Sequence, residues 1–352
     1  MPLLARMLTS PLFLDIRRGA IEDLGGLLTD RRISAAGHVA VAVGPGQGQR
    51  IVDVIGASLP NADFFMVNGG SLDTAGALQE RLKARSYDAL VGVGGGRTLD
   101  VTKYAATRLA LPMVAVATNL AHDGIASPVS SLDHAGGKGS FGVSMPIAVV
   151  VDLDYVRAAP TRMVRAGVGD VVSNLSAIAD WELAAGERGE PVDGIAVTFA
   201  RTAAEAVLQR TDGIDDDGFL ICLADALVLS GMAMAAAGSS RPCSGGDHEI
   251  LHAVDRLFPG TSNHGELAGV GALFCTYLRS DETRLDQLDR CLRRHGLPRT
   301  PGDLGLSAEQ FTEAVIAAPA TRPDRYTILE HLDLPAHDVR RYVEDFARLR
   351  SN

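Results

Sequence analysis

The first 159 residues alternate between short apolar runs and segments with helical spacing. Continuous apolar runs that are rich in β-branched residues and bounded by Gly or Pro are typical of strands buried in a parallel sheet. Five such runs occupy residues 38–43, 64–67, 89–93, 113–117 and 147–151. Helical spacing lies between several of them, at 49–58, 72–84 and 99–110. This alternation predicts a doubly wound α/β domain over residues 1–159.

From residue 160 onward the pattern changes and strand-like runs vanish. Segments rich in Ala and Leu recur with helical spacing, at 171–185, 195–209, 219–237, 249–257 and 267–278. The chain contains no internal repeat and no low-complexity linker. Residues 160–352 are therefore predicted to form an all-α domain.

Composition narrows the class of protein. Hydrophobic residues make up 46% of the chain and charged residues 22%, as in an ordinary globular protein. The formal charge of −10 argues against a nucleic-acid partner, but not against a small phosphorylated substrate. We identify no signal peptide, no apolar run of membrane-spanning length and no paired cysteines, so we expect a cytoplasmic protein without a membrane partner. A homo-oligomer is the base-rate expectation, since many globular proteins form symmetric homo-oligomers.

A glycine-rich turn, VGVGGGRTLD at residues 91–100, follows a predicted strand and opens a predicted helix. Glycines let a ligand approach the backbone, and the N–H groups of a helix N-terminus suit a pyrophosphate. Gly94, Gly95 and Gly96 with Arg97 are therefore candidates for cofactor binding. A simple tight turn remains the alternative, since the string differs from the common GxGxxG fingerprint. A second turn, 44–48, has the same two interpretations.

Acidic and histidine residues form a second constellation. His248 and His252 lie four residues apart, on one face of a predicted helix, and His264 follows. Asp170 comes immediately before the helical pattern that begins at residue 171. A carboxylate with two neutral imidazoles suits Zn²⁺ or Fe²⁺ and leaves a coordination position open for substrate. Hydrogen-bonded core histidines are the alternative interpretation.

The same stretch, HEILH at 248–252, also matches the HExxH metallopeptidase signature. A peptidase would need Glu249 as general base and a third ligand downstream. His264 follows His252 by 12 residues, which is not the close spacing of the long form of that motif. An α/β half with a glycine-rich turn would also have no role in a peptidase.

Taken together, these motifs resemble those of the sn-glycerol-1-phosphate dehydrogenase family, within the superfamily of dehydroquinate synthases and iron-type alcohol dehydrogenases. The blocks that carry the resemblance are 92–106, 121–128 (AHDGIASP), 166–174 (AGVGDVVSN), 244–248 (SGGDH) and 264–266 (HGE). The resemblance implies a dehydroquinate synthase-like fold. Its α/β domain, 1–159, would bind NAD or NADP, and its helical domain, 160–352, would bind the metal and the substrate.

The resemblance also implies roles for individual residues. Asp170, His248 and His264 would hold a divalent metal, with Zn²⁺ the first candidate and Fe²⁺ or Ni²⁺ the others. Asp123 would contact substrate and His252 would face it, both as catalytic residues. The residues implied for cofactor binding are Gly94, Gly95, Gly96, Arg97, Asp100, Thr118, Asn119 and Ser127. Lys138, Arg162 and Arg165 lie near the motifs, but the sequence does not identify the cations for a phosphate.

The activity implied is NAD(P)-linked reduction of dihydroxyacetone phosphate, or of a related small ketone, in phospholipid biosynthesis. The metal would act as a Lewis acid on the carbonyl. Three positions depart from the family pattern, with Asp247 for Glu, Leu267 for Gln and Ala117 for Pro. Three alternatives stay open: a glycerol or polyol dehydrogenase, a sugar-phosphate cyclase of the dehydroquinate synthase type, and a non-catalytic binding protein.

Overall fold

The computed structural model describes residues 8–35, 37–135 and 137–350. Contacts within the chain divide it into two compact units, the first ending at Pro160 and the second beginning at Thr161. The first unit is α/β and the second, over its described residues, contains helices and no strands. The predicted fold class is confirmed.

The first unit is built on a six-stranded parallel sheet in the order β1-β8-β5-β4-β2-β3. Strands β6 and β7 form a separate antiparallel hairpin. In chain order the strands are β1 (Phe13–Arg17), β2 (Val39–Val43), β3 (Asp63–Met66), β4 (Ala89–Gly94), β5 (Met113–Ala117), β6 (Val129–His134), β7 (Gly137–Gly142) and β8 (Ala148–Asp152). Its helices are α1 (Leu24–Leu27), α2 (Gln47–Ile55), α3 (Leu72–Leu82), α4 (Gly96–Arg108) and α5 (Leu153–Ala158).

The strands that the sequence predicts correspond to β2, β3, β4, β5 and β8. Four of them, β2, β4, β5 and β8, are buried along their whole length, because helices cover a parallel sheet on both faces. The sequence did not predict β1, an edge strand in which polar and apolar residues are mixed. The hairpin was also missed, since β7 is glycine-rich and mostly exposed.

The glycine-rich turns lie where the strand order reverses. Strands β2 and β4 are neighbours, and the chain continues from β2 to one edge of the sheet and from β4 towards the other. In open α/β sheets, ligands bind at the carboxyl ends of the strands at such a point. The turn that follows β2 is bound to the end of β4 there, since the N–H of Gly44 donates to the carbonyl of Val93 at 2.9 Å.

The second unit consists of helices α6 to α14. They are α6 (Thr161–Arg188), α7 (Gly194–Gln209), α8 (Asp217–Ala237), α9 (Gly246–Leu257), α10 (His264–Leu278), α11 (Glu282–Arg294), α12 (Ala308–Ala317), α13 (Ile328–Leu332) and α14 (Ala336–Arg350). Among the described residues, α8 alone is long and apolar enough to cross a membrane by length and composition. Most of α8 is buried within the unit, and the core helix of a globular protein passes the same test.

Helix α6 begins earlier than the sequence predicts. It starts at Thr161 and runs for 28 residues, so Asp170 lies inside the helix and not before it. The prediction was wrong because Gly167 and Gly169 resemble helix breakers. Helix packing explains why residue 169 is a glycine, because a Cβ built there would lie 2.2 Å from the carbonyl oxygen of Gly265 in α10.

Candidate functional site

Three side chains from three helices meet in the second unit. Asp170 comes from α6, His248 from α9 and His264 from the first position of α10. The Oδ1 atom of Asp170 lies 3.5 Å from Nε2 of His264 and 4.0 Å from Nε2 of His248. One ligand atom from each residue lies within 4.8 Å of the others. The structure thus brings together the three residues that the sequence suggested as metal ligands.

The geometry of this cluster fits a divalent ion. Ligand bonds of about 2.0–2.2 Å in a tetrahedral site place donor atoms roughly 3.4 Å apart. The pair from Asp170 and His264 already has that separation, and the pair from Asp170 and His248 is slightly wider. Asp170 is 4% exposed, so a carboxylate stands almost out of water beside two imidazoles. A metal ion is the partner that such a buried set favours.

Asp247 orients the first of the two histidines. Its Oδ1 atom lies 2.5 Å from Nδ1 of His248, and its side chain is fully buried. Because an ionised carboxylate only accepts hydrogen bonds, Nδ1 carries the proton and Nε2 keeps its lone pair towards Asp170. The sequence marked Asp247 only as a departure from the family pattern. In the structure it is the residue that fixes the tautomer of His248.

His252 lies one turn from His248 on α9, with ring centroids 6.5 Å apart. Its Nε2 atom is 3.0 Å from Nη2 of Arg322. Arginine has no acceptor, so Nε2 of His252 must accept this hydrogen bond, and the neutral ring carries its proton on Nδ1. The sequence did not suggest Arg322, which follows His252 by 70 residues.

Glu249 occupies another side of α9. It is fully buried, and the hydroxyl of Thr327 donates to its Oε2 atom at 3.1 Å. Burial raises the pKa of Glu249 to about 9, with the charges of Glu330 and Asp180 adding to the effect. A carboxyl that is buried and protonated near neutral pH cannot serve as the general base of a peptidase. The burial of Glu249 against Thr327 and its raised pKa both argue against the HExxH interpretation.

Glu266 of the HGE block stabilises the start of α10. With Asn263 it forms a capping box, in which each side chain meets the backbone N–H of the other residue. Arg162 from α6 makes a bidentate ion pair with the same carboxylate, at 2.8 and 2.6 Å. Arg162, which lies near the motifs in the sequence, therefore anchors the helix that presents His264.

The glycine-rich turn of the first unit opens α4 as predicted. Its N-cap is Gly95, which offers no capping side chain to the first N–H groups of the helix. A Cβ at Gly95 would lie 2.4 Å from Nδ2 of Asn119, and a Cβ at Gly96 would lie 2.0 Å from Nε2 of His122. The absence of side chains thus lets Asn119 and His122 lie directly over the turn, in a setting that suits the phosphates of a dinucleotide.

His122 belongs to the AHDGIASP block, but no role was assigned to it from the sequence; the structure defines its protonation state. Its Nδ1 atom accepts a hydrogen bond from the N–H of Gly124 at 3.0 Å. Burial lowers the pKa of His122, although the carboxylates of Asp100 and Asp123 oppose the shift. The ring is therefore neutral at neutral pH, with its proton on the Nε2 atom that lies over Gly96.

Lys103 joins α4 to the segment that carries the AHDGIASP block. Its ammonium group lies 3.1 Å from Oδ1 of Asp100, 3.3 Å from the carbonyl of Ser127 and 2.5 Å from the carbonyl of Val129. Lys103 is completely buried and Asp100 is 4% exposed. Both Asp100 and Ser127, predicted as cofactor contacts, therefore belong to a buried polar cluster. Sequence reasoning missed Lys103, although an apolar helix face that includes Lys signals a buried ion pair.

The other predicted residues of the first unit lie close to the same turn. The N–H of Thr118 donates to the carbonyl of Gly94 at 3.1 Å, which joins the end of β5 to the glycine turn. Arg97 is exposed, and its side chain packs over the backbone of Gly70. Asp123 begins a short 3₁₀ helix, where its carbonyl accepts from the N–H groups of Ala126 and Ser127. Direct contacts of Asp123 and Arg97 with substrate or cofactor stay predictions.

Comparison with known proteins identifies the family. The sequence model of the iron-containing alcohol dehydrogenases matches residues 15–160. A glycerol-1-phosphate dehydrogenase (NAD(P)+) of Hyperthermus butylicus is 37% identical over 88% of this chain and 90% of its own length. The chain belongs to the glycerol-1-phosphate dehydrogenase family. The homologue with the same name in Methanosarcina mazei is 34% identical over 89% of both chains.

Solved structures share the fold over nearly the whole length of the chain. A probable glycerol dehydrogenase from Sinorhizobium meliloti superposes with a TM-score of 0.76, covers 99% of both chains and is 20% identical. The shared fold therefore includes both the parallel sheet and the helical region that follows it. The resemblance that the sequence motifs carried is confirmed, and so is the expectation of an oxidoreductase.

Proposed function

We propose that this protein is a metal-dependent, NAD(P)-linked dehydrogenase that reduces dihydroxyacetone phosphate to sn-glycerol 1-phosphate. The observation that carries the proposal is the convergence of Asp170, His248 and His264, with Asp247 fixing the tautomer of His248. The names of relatives at 34–37% identity support the substrate and the use of either nicotinamide cofactor. A cytoplasmic homo-oligomer that supplies phospholipid biosynthesis completes the proposal.

Zn²⁺ is our first choice for the ion, with Fe²⁺ and Ni²⁺ as the other candidates, since one carboxylate and two imidazoles suit all three. When bound, the ion supplies a Lewis acid for the ketone oxygen, and the nicotinamide supplies hydride for the ketone carbon. Asp170, His248 and His264 would hold the ion, and three protein ligands leave a position for the substrate.

His252 would assist the protonation of the ketone oxygen. The ketone carbon gains a hydride and its oxygen gains a proton, so one proton must reach the oxygen in each turnover. The hydrogen bond from Arg322 to Nε2 leaves the ring proton of His252 on Nδ1. A neutral imidazole that lost this proton would become an imidazolate, so we infer that the Nδ1–H of His252 donates a hydrogen bond to the substrate oxygen and that solvent supplies the proton. Asp123 is our candidate for orienting the substrate.

The glycine-rich turn would receive the cofactor. The uncapped N–H groups at the start of α4 would bind the pyrophosphate, and Asn119 and the Nε2–H of His122 lie over that turn. The buried cluster of Lys103, Asp100 and Ser127 would hold the adjacent segment in place. In this proposal Asp100 and Ser127 act on the cofactor by positioning the segment.

The test is oxidation of NADH or NADPH by protein loaded with Zn²⁺, measured with dihydroxyacetone phosphate and with unphosphorylated dihydroxyacetone. We expect efficient turnover of the phosphate ester, with sn-glycerol 1-phosphate identified by chiral analysis. Preference for dihydroxyacetone would favour a polyol dehydrogenase. Turnover of neither ketone, with metal and nicotinamide both bound, would reject the proposal.

A ligand variant tests the metal assignment separately. His264→Ala should abolish turnover, because two remaining ligands hold the ion weakly, while NADH binding followed by its fluorescence should persist. The matched control is His337→Ala, whose side chain is 81% exposed in the same unit. A fully active His264→Ala enzyme would contradict the assignment.

A further inference from the structure

Two arginine side chains converge on one hydroxyl group near the candidate metal centre. Nη2 of Arg325 lies 2.6 Å from Oγ of Ser240, and Nη1 of Arg322 lies 3.4 Å from the same atom. Ser240 follows the C-terminal end of α8, and the arginines belong to the segment before α13. All three side chains are partly buried. We call this group, Ser240, Arg322 and Arg325, the arginine cluster.

Arg325 carries a positive charge that its own contacts do not neutralise. Besides Ser240, it donates to the carbonyl oxygen of Ser244, so both of its hydrogen-bond acceptors are uncharged. Among the described residues, no carboxylate forms an ion pair with Arg325. Burial lowers the pKa of Arg325 to about 10, and the like charges of Arg322 and Arg241 add to the effect. A partly buried guanidinium group that has only uncharged acceptors is stabilised when it binds an anion.

A neighbouring arginine shows the contrast. Arg241 is buried beside the cluster, but it makes a bidentate ion pair with Glu190 and also donates to the carbonyl of Tyr326. Its charge is therefore matched within the protein. Arg241 is an internal structural cation, whereas Arg325 has only neutral partners.

The arginine cluster is also adjacent to the residues proposed for catalysis. Nη2 of Arg322 donates to Nε2 of His252 at 3.0 Å, and the ring of His252 lies 6.5 Å from that of His248. One imidazole thus separates a guanidinium group from a candidate metal ligand. A substrate with a ketone and a phosphate a few bonds apart needs this combination of a metal ligand set and a nearby cationic group.

We propose that Ser240, Arg322 and Arg325 form the subsite for the phosphate group of the substrate. The inference rests on the proposed function, because it assigns the residues that would distinguish the phosphate ester from the free ketone. Two guanidinium groups present the paired N–H donors that match phosphate oxygens, and the hydroxyl of Ser240 adds a further donor. Arg322 also donates to His252, so recognition of the phosphate and positioning of His252 share one side chain.

The primary test is Arg325→Met, assayed with dihydroxyacetone phosphate and with unphosphorylated dihydroxyacetone. The ratio of kcat/KM for the two ketones should fall about 100-fold towards the free ketone, because a charge-assisted contact to phosphate is lost. Arg201→Met is the matched control, since Arg201 pairs with Glu182 on the surface of the same unit. An equal fall for both ketones, or an unchanged ratio, would overturn the inference.

Binding of inorganic phosphate supplies a readout that does not depend on turnover. Calorimetric titration should show weaker phosphate binding in Arg325→Met than in the unchanged enzyme, and equal binding would count against the subsite. If the unchanged enzyme reduces neither ketone, the proposed function fails, and this titration still decides whether the arginine cluster binds phosphate.

Two further measurements distinguish a substrate subsite from a structural role and from a cofactor site. If Arg325→Met does not fold, Arg325→Lys keeps the charge but loses the paired donors, and should lower the ratio about tenfold. The cofactor is a second source of phosphate, so KM is compared for NADPH and NADH. A change confined to NADPH would assign the cluster to the cofactor and overturn its assignment to the substrate.

Discussion

Asp170 and His264 can approach to 3.5 Å because the helices that carry them touch backbone to backbone. A Cβ built on Gly265 would lie 1.8 Å from the carbonyl oxygen of Ala166, and one on Gly169 would lie 2.2 Å from that of Gly265. Two glycines in α6 and α10 therefore set the separation of the two ligands. The metal centre depends on residues that have no side chain to contribute.

Gly265→Ala should therefore harm both stability and metal binding. The added methyl group must push α6 and α10 apart, so we expect a loss of about 1–3 kcal/mol in the free energy of unfolding. Zn²⁺ affinity, measured by competition with a chelator, should fall as well. Gly186→Ala is the control, since a Cβ at that position of α6 meets nothing within 4 Å. Unchanged affinity in Gly265→Ala would contradict this account.

Asp247→Asn should weaken metal binding while leaving all three candidate ligands in place. The amide oxygen can still accept from Nδ1 of His248, but it no longer offers the negative charge that makes the ring a stronger ligand. Loss of such a partner lowers metal affinity by roughly 10–100-fold. Chelator competition measures the change, and Asp286→Asn on the exposed face of α11 serves as control. Equal affinities would show that Asp247 does not support the metal centre.

Lys103→Met should destabilise the first unit. Removing the ammonium group leaves the buried carboxylate of Asp100 without its cation, which costs about 3–5 kcal/mol in the free energy of unfolding. The NADH dissociation constant should also rise, because Lys103 ties the segment around Ser127 to α4. Denaturant unfolding and fluorescence titration measure the two effects.

The double variant Lys103→Met with Asp100→Asn tests the cause. Removing the charge of Asp100 should recover part of the lost stability if the unpaired carboxylate is responsible. Lys83→Met is the control, since Lys83 pairs with Glu80 at the surface. Additive losses in the double variant would contradict the ion-pair explanation.

His295 should make stability depend on acid pH. Its ring stacks on Phe219 with centroids 4.6 Å apart, and burial lowers its pKa from 6.5 to about 4. Between those values the unfolded chain binds more protons than the folded one, so the free energy of unfolding falls as the pH is lowered. His295→Gln should remove about 2 kcal/mol of that decline between pH 7 and pH 4.5.

Chemical unfolding at a series of pH values checks this dependence. His337→Gln, which replaces an exposed histidine, should leave the wild-type profile unchanged. A His295→Gln profile as steep as that of the wild type would assign the acid sensitivity to other groups.

The features that could be predicted from the sequence are those that depend on local patterns of residues. Strands β2, β4, β5 and β8 are continuous apolar runs because both faces of the sheet are covered. The candidate ligands were found because Asp170, His248 and His264 lie in compact motifs. The edge strand β1 was missed because one-sided pairing and partial exposure leave a mixed pattern.

Other features depend on contacts between distant segments. Gly169 resembled a helix breaker, and its close contact with Gly265 becomes apparent only when α6 and α10 are packed. Arg322 and Arg325 belong to no motif near the histidines, and folding brings Arg322 to His252 from 70 residues away. Spacing along the chain carries no signal for such partnerships.

In helix α9 the role of a residue depends on the face of the helix that it occupies, and not on which residues are adjacent to it in the sequence. His248 and His252 share one face of the helix, and Glu249 is turned by about 100° from His248. Glu249 therefore lies on a different face of α9, where its carboxyl group makes a buried contact with Thr327. A loss of activity on replacing Glu249 would therefore reflect damaged folding of α9, and would not identify a base.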